Sequence, residues 1–341
     1  MHPIACPGPP LRLLPLGPGV WWVPGQAGEA DAHNRGQVSN LLLVRQVPAL
    51  PRGPGRQRDL GGQPGQQQAA RLWALGSGPS PVLGAALACH ALQRLGLPLT
   101  DVISPWARPE LVLGVAGLPA VRQGNLRRGA VRHQAVRHQA VRHWAHASVA
   151  DAMAEQCPHC VDRLRQRLGA AQADLGTDPI RLPSHRLHGE HGLLGPFAWW
   201  RLPRAAGRWT TVWRLRQQPL WVAPGLLNQG APPDGRDADL ASLQQASLQL
   251  AALAQPDGLA ARFVGEQGGL MDSTAPTRHA AYWQALAAAV AAAIERGDDE
   301  AAAPALLPGW PADWAQHPWH GFNWQRAWRQ LEPDLLAAPP R

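Results

Sequence analysis

Residues 157–160, Cys-Pro-His-Cys, have the types and the spacing of a redox dithiol or of half a zinc site. A structural zinc site needs four ligands, and the sequence has no second pair of cysteines separated by two residues. Residues 184–191 carry the nearest further ligands, three histidines: His185, His188 and His191. For Cys157 and Cys160 we leave open a metal site, a redox or disulfide pair, and two ordinary helix cysteines, and we favour the last.

Two other stretches have a functional and a structural interpretation. Residues 76–81, Gly-Ser-Gly-Pro-Ser-Pro, precede a predicted helix, whose N-terminal amides would suit an anion, but they lack the Lys of a P-loop and the glycine pattern of a dinucleotide fold. Ser80 instead predicts a helix cap. Near the C-terminus, His317 and His320 stand among tryptophans, and such a cluster beside a terminal helix predicts packing more than a ligand site.

Apolar runs bounded by Gly and Pro predict the elements that must position these residues. Strands are predicted at 20–23, 39–44, 71–75, 100–104, 197–202, 209–215, 219–223 and 261–264. Helices are predicted at 82–95, 145–168, 237–254, 277–296 and 322–336. Strands and helices alternate in two successive blocks, which indicates an α/β layered fold.

The domain organisation follows from the segments in which no strand or helix is predicted. We treat residues 1–19 as an N-terminal extension and 20–336 as one domain with surface insertions at 48–68 and 120–143. The first insertion is rich in Gly, Pro, Gln and Arg, and the second contains a tandem Ala-Val-Arg-His-Gln repeat. A period of five residues advances about 140° around a helix, so the repeated arginines would not line one face. A surface insertion is therefore favoured over a basic binding arm.

Composition limits the classes of function. The chain has 341 residues, of which 45% are hydrophobic and 16% charged, as in folded proteins. Its formal net charge is +8, and because it contains no Lys, the basic side chains are all Arg. These arginines are scattered and accompany no nucleic-acid-binding motif, so we expect no nucleic-acid partner. No segment reaches the roughly 18 apolar residues of a membrane span.

The N-terminus and the cysteine count leave the compartment open. Prolines interrupt the apolar residues among the first 19, so they do not form a convincing signal peptide. Four cysteines are too few for a disulfide scaffold in a chain of this length. The cytoplasm and the periplasm both remain compatible with the sequence.

Several segments, taken in order, resemble the metallo-β-lactamase superfamily, and most of all its quinoprotein relay system metallohydrolase branch. They are PGVWWVPG at 18–25, NRGQVSNLLLV at 34–44, LTDVISPWARPELVLG at 99–114, the Cys-Pro-His-Cys helix at 143–169, PLWVAPGLL at 219–227, RFVGEQGG at 262–269, the helix with His279, Tyr282 and Trp283, and HPWHGFNWQRAWRQLE at 317–332. Their order and spacing carry the resemblance, which covers nearly the whole chain outside the two insertions. It implies a four-layer αββα sandwich, in which two β-sheets pack face to face between outer helices.

The resemblance also places the family's zinc-ligand positions on this sequence. The family has His-x-His-x-Asp-His after a strand, then a further His, a bridging Asp and a last His. The matching residues here are Pro105, Ala107, Glu110, Leu111, Arg208, Gly225 and Glu266. Only the two glutamates offer oxygen donors, too few to hold zinc by the family's route. The resemblance therefore implies no zinc, and no other cofactor is expected.

Two hypotheses on function follow. The first is a non-catalytic binding or accessory protein, and the name of the branch suggests quinoprotein dehydrogenases as partners. The second is a metal-dependent hydrolase with an atypical site built around Glu110 and Glu266, or a relocated one at 157–160 and 184–191. We favour the first.

The emptied metal pocket also yields a prediction about charge. Glu110 and Glu266 would be costly to bury without a nearby cation. Arg108 stands beside Glu110 in the loop, and Arg208 occupies a former ligand position. We predict that one or both arginines pair with these glutamates in place of the metal.

Overall fold

The computed structural model describes residues 5–47, 70–119, 140–301 and 307–337. The strands of these ranges are β1 (Leu14–Gly17), β2 (Val20–Val23), β3 (Leu41–Gln46), β4 (Arg71–Leu75), β5 (Leu99–Ile103), β6 (Arg142–His146), β7 (His185–Leu187), β8 (His191–Leu194), β9 (Phe197–Ala205), β10 (Arg208–Leu215), β11 (Leu220–Val222), β12 (Arg262–Val264) and β13 (Leu270–Met271). The α-helices are α1 (Pro81–Leu95), α2 (Pro109–Val112), α3 (Ala147–Leu168), α4 (Leu240–Ala254), α5 (Ala275–Glu295) and α6 (Pro318–Ala337). Short 3₁₀ helices lie at Leu113–Gly117, Gly169–Leu175, Gln255–Ala260 and Ala312–Gln316.

The described strands form two mixed sheets. The first has the order β1-β2-β3-β4-β5-β6-β7, with antiparallel pairs up to β4 and parallel pairs from β4 to β7. The second has the order β13-β12-β11-β10-β9-β8, and its parallel pair is β11 with β12. Parallel strands end at the same edge of a sheet, so the loops after β5, β11 and β12 become natural places for a site.

Three buried clusters show how the layers pack. Between the sheets, Trp73, Phe197 and Trp213 form a core with aliphatic side chains from both. A second core joins the first sheet to α1 and α3, and a third joins the second sheet to α4, α5 and α6. The predicted αββα arrangement is confirmed, because each sheet buries one face against its partner and the other under helices.

The predicted boundaries need two corrections. β1 lies within residues 1–19, the predicted extension, and pairs with β2. β6 includes the last residues of the predicted insertion 120–143. The next helix therefore begins at Ala147 and not at the predicted residue 145. A buried carboxylate helps to hold β6 in the sheet, since Asp101 of β5 pairs with Arg142. The insertion at 48–68 and most of that at 120–143, including nearly all of the repeat, lie outside the described residues.

Two local features fix the N-terminal part of the fold. Ser80 is the N-cap of α1, and its side chain accepts a hydrogen bond from the Leu83 amide, so the structural interpretation of residues 76–81 is confirmed. A disulfide joins Cys6 to Cys89 of α1. It is a single covalent link, whereas the sequence predicted no scaffold of several disulfides. Among the described residues, no helix is long and apolar enough to cross a membrane.

A candidate site built around buried arginines

Three of the residues that the resemblance assigns to a metal site meet at one edge of the sandwich. Glu110 stands in α2, after the loop that follows β5, and Glu266 lies two residues beyond β12. Gly225 follows β11, and its amide donates a 2.9 Å hydrogen bond to Glu266 Oε2. Because β11 and β12 are parallel neighbours, the loops that follow them meet at this edge.

Arg108 is the centre of this region, and it forms ion pairs with three carboxylates. Its Nε lies 3.2 Å from Glu110 Oε2 and 2.8 Å from Glu266 Oε1, and its Nη1 lies 2.5 Å from Asp234 Oδ2. The side chain of Arg108 is 9% exposed, and those of the three acids are between 2% and 8% exposed. The guanidinium therefore sits in a nearly closed carboxylate shell, which satisfies the predicted pairing with both glutamates.

Further residues connect this shell to the surface. Arg236 donates to both oxygens of Asp234 and also pairs with Glu29 at 2.9 Å. Glu29 in turn accepts hydrogen bonds from the Trp319 indole and from Arg167 on α3. Ion pairs thus run without a break from the buried guanidinium to exposed Arg167. We call the eight charged residues of this region, including Arg204 described next, the arginine cluster: Glu29, Arg108, Glu110, Arg167, Arg204, Asp234, Arg236 and Glu266.

Arg204 is a second buried arginine, only 1% exposed, near the end of β9. Its guanidinium carbon lies 4.2 Å from the ring centroid of Trp106, within the range of a cation–π interaction. Its Nη2 donates to the backbone carbonyls of Asp234 and Arg236, but its buried Nη1 has no hydrogen-bond partner among the described residues. Burial lowers the pKa of Arg204 to about 10, because nearby charges compensate its desolvation only in part.

At other charged residues of the arginine cluster, burial and Coulomb attraction shift the pKa in opposite directions. Burial alone would lower the pKa of Arg108, but the charges of Glu266, Glu110 and Asp234 outweigh it and hold the pKa well above its usual value. Burial would raise the pKa of Asp234, but Arg108 and Arg236 bring it below its usual value. For Glu266, burial dominates and raises the pKa. Even so, Arg108 lies close enough to favour the carboxylate form.

The other predicted positions do not all reach the cluster. Pro105 and Leu111 are buried in the frame of the loop, where the Pro105 carbonyl accepts bonds from Thr211 and Leu111 joins the core. Ala107 lines the cleft above Arg108. Of the two arginines predicted to pair with the glutamates, Arg108 does so, whereas Arg208 is exposed and faces Asp237 at 3.5 Å. The buried arginine that comes from this hairpin is Arg204, on the neighbouring strand.

Five members of the cluster were not predicted from the sequence: Glu29, Arg167, Arg204, Asp234 and Arg236. Arg204 had one usable signal, because it stands in phase with buried Leu202 on an alternating strand. Glu29, Asp234 and Arg236 belong to irregular loops, and no periodicity marks them. Apart from the pair of Asp234 with Arg236, their ion pairs join residues more than one hundred positions apart in the sequence.

The two thiols of α3 and the C-terminal histidines are not members of this cluster, although Cys160 lines the cleft above Arg108. Cys157 and Cys160 are free thiols on α3, the first buried and the second half-buried. Burial raises the pKa of Cys157 to about 12, so its thiol stays protonated at neutral pH. At the C-terminus, His320 contacts Tyr282 at 2.9 Å and is buried beside Trp319 and Trp324, which confirms the packing interpretation.

The donor set does not fit zinc. Within the described ranges, no group of three or more His, Cys, Asp or Glu side chains is arranged to hold a metal ion. The three carboxylates that do converge surround Arg108, a permanent cation with no lone pair to offer. A divalent ion at this place would have to displace the guanidinium.

Comparisons with known proteins point to one architecture. No protein-family model matches the sequence, and no curated protein is significantly similar to it. Solved structures are similar, among them the metallo-β-lactamase FIM-1 from Pseudomonas aeruginosa in its mono-zinc form, with a TM-score of 0.53 and 16% identity over 81% of this chain and 95% of that one. A metallo-β-lactamase from Pontibacter korlensis has a TM-score of 0.53 and 14% identity, covering 80% of this chain and 99% of its own. One from Erythrobacter litoralis has a TM-score of 0.53 and 15% identity, covering 80% and 96%. At these identities the likeness concerns the fold.

Proposed function

We propose that this chain, which has the metallo-β-lactamase fold, is a non-catalytic binding or accessory protein whose arginine cluster replaces a metal centre. The observation that carries the proposal is Arg108, buried among Glu110, Asp234 and Glu266. A catalytic zinc needs about three protein ligands and an open position for water. Here a guanidinium uses the available carboxylates, so no group remains to acidify a water molecule by that route.

The chain also offers a serine and a histidine in contact, but they do not suit covalent catalysis. Ser104 Oγ lies 2.8 Å from His143 Nε2. Ser104 is fully buried, and burial lowers the pKa of His143 to about 4. A general base works best with a pKa near the operating pH, and a nucleophile must be reached by its substrate. This pair supports a structural role.

The decisive experiment measures bound zinc and hydrolysis together. The purified chain is loaded with zinc, desalted and analysed by mass spectrometry, and hydrolysis of a β-lactam is followed before and after chelation. The variant with Cys157→Ser and Cys160→Ser is treated in parallel, because thiols alone can retain zinc. We expect substoichiometric zinc in the double variant and no hydrolysis in either protein. One or two zinc ions per chain, lost together with a hydrolytic activity, would falsify the proposal.

We extend the proposal to an accessory role beside quinoprotein dehydrogenases. The support is the ordered resemblance of segments such as 143–169 and 262–269 to the quinoprotein relay branch. The extension predicts saturable binding of this chain to a purified quinoprotein dehydrogenase by biolayer interferometry. Absence of saturable binding would remove the extension and leave the non-catalytic proposal in place.

A further inference from the structure

An open cleft with a cavity volume of about 120 Å³ lies directly over Arg108, comparable with cavities that take a benzene-sized molecule. Four of its lining residues are arginines, namely Arg108, Arg163, Arg167 and Arg236. Two are acidic, Glu110 and Asp237. The lining therefore carries an excess of positive charge, unlike the balanced cluster beneath it.

One face of α3 forms a wall of this cleft. Gln156, Cys160, Arg163 and Arg167 all line it, at spacings of four, three and four residues. Such spacing stacks side chains along one helix face. Arg163 and Arg167 are thus like charges four residues apart, an arrangement that destabilises a helix unless an anion lies between them.

The four arginines differ in how far their charge is already compensated. Arg108 has three carboxylates, and Arg236 has Asp234 and Glu29. Within the described ranges, Arg167 donates through its Nη1 to Glu29. The side chain of Arg163 makes its hydrogen bond to the Cys160 sulfur, at 3.4 Å, and pairs with no carboxylate among the described residues. A thiol is a weak acceptor and leaves this guanidinium uncompensated.

We propose that this cleft binds a small molecule through an oxyanion group, a carboxylate or a phosphate, held between Arg163 and Arg167. A guanidinium presents parallel N–H donors that match both groups, and such charge-assisted bonds are the strong ones. The C-terminus of α3 lies one residue beyond Arg167 and opposes an anion with about half a negative charge. The full positive charge of Arg163, which pairs with no carboxylate among the described residues, outweighs it. Gln156 adds an amide that can donate to or accept from the rest of the ligand.

The inference rests on the proposed function, since it gives a ligand class to the same edge of the fold. The test is isothermal titration calorimetry at low ionic strength with phenyl phosphate and, separately, benzoate. We expect one saturable site for at least one probe, and the better probe identifies the group. Arg163→Gln should raise the dissociation constant at least about tenfold, because it removes a charge-assisted bond. The matched control is Arg216→Gln, an exposed arginine in the turn after β10 and outside the cleft lining, which should leave the constant unchanged.

The outcomes separate this inference from the proposed function. Absence of saturable binding for both probes, or an equal loss of affinity in Arg163→Gln and Arg216→Gln, would overturn the anion site while the non-catalytic proposal stands. Release of phenol from phenyl phosphate, together with weaker binding in Arg163→Gln, would support the site and overturn the non-catalytic proposal. Circular dichroism of both variants checks that neither substitution unfolds the chain.

Discussion

At the scale of single residues, the central fact is that one permanent cation forms ion pairs with three buried acids. Glu110, Asp234 and Glu266 would each be expensive to bury as carboxylates without a partner. Arg108 compensates all three from one position, which a side chain of lower pKa would do less completely. Buried ion pairs gain little over apolar substitutes, but removal of one partner is costly because the other charge is left behind.

This asymmetry predicts the effect of Arg108→Met. The substitution keeps much of the side-chain volume but leaves three carboxylates facing one another. We expect the free energy of unfolding, measured by urea denaturation at pH 7, to fall by roughly 3–5 kcal/mol. Arg208→Met is the matched control, since Arg208 is exposed and its 3.5 Å pair with Asp237 is worth less than about 1 kcal/mol. Equal effects of the two substitutions would contradict the buried-cation account.

At the scale of elements, the loop after β11 makes room for the second buried arginine. Gly225 has φ +75°, a conformation that L side chains rarely adopt. A Cβ atom there would lie 2.9 Å from Arg204 Nη1 and 3.0 Å from the Trp106 ring. The position that the resemblance assigns to a bridging Asp is thus kept free of any side chain, and Arg204 and Trp106 pack against it.

Gly225→Ala should therefore be more harmful than a glycine substitution with the same backbone strain elsewhere. Gly207, in the turn between β9 and β10, has φ +71°, and a Cβ atom added there would meet no described atom within 4 Å. We expect Gly207→Ala to cost about 1–2 kcal/mol from the backbone alone. Gly225→Ala should cost about 1–3 kcal/mol more, because Arg204 or Trp106 must move. The two midpoints of thermal unfolding give the comparison, and coincident midpoints would show that the space around Gly225 is not limiting.

At the scale of the whole molecule, two buried histidines link stability to pH. Burial lowers the pKa of His143 and of His279 to about 4, from an ordinary value of 6.5. His279 lies between the Asn228 amide and the Ala275 carbonyl, a pairing that requires its neutral form. Between pH 6.5 and 4 the unfolded chain binds more protons at these positions than the folded chain. Stability is therefore lost as the pH falls through this window, by about 3 kcal/mol for each histidine.

His279→Gln isolates one of these contributions. The variant should be less stable than the parent at pH 7, because the Ala275 carbonyl loses its donor, but its stability should fall less steeply from pH 6.5 to 4. Urea denaturation at several pH values measures the slope. His159→Gln, on the exposed side of α3, should keep the slope of the parent. An unchanged slope in His279→Gln would mean that His279 is not held neutral by burial.

The sequence by itself determined the places and the order of eight of the thirteen described strands and of the five longer helices. Strands β2 and β4 lie where predicted, and α1, α4, α5 and α6 begin within a few residues of the predicted positions. These elements have strong apolar patterns or clear end signals such as Ser80, and such information is local in the chain. The sequence also placed Arg108 beside Glu110. That unsuitable residues occupy the metal-ligand positions is what the resemblance implies.

Only the tertiary structure decided which charges meet. The short strands β7, β8 and β13 have two to four residues, too few for a pattern, and exist because neighbouring strands pair with them. Asp234 reaches Arg108 across 126 positions of sequence, and Arg204 rather than Arg208 turns into the cluster because of the face of the hairpin on which it lies. Ion pairing depends on distance in space and on burial, and neither is encoded by spacing along the chain when the partners belong to separate loops.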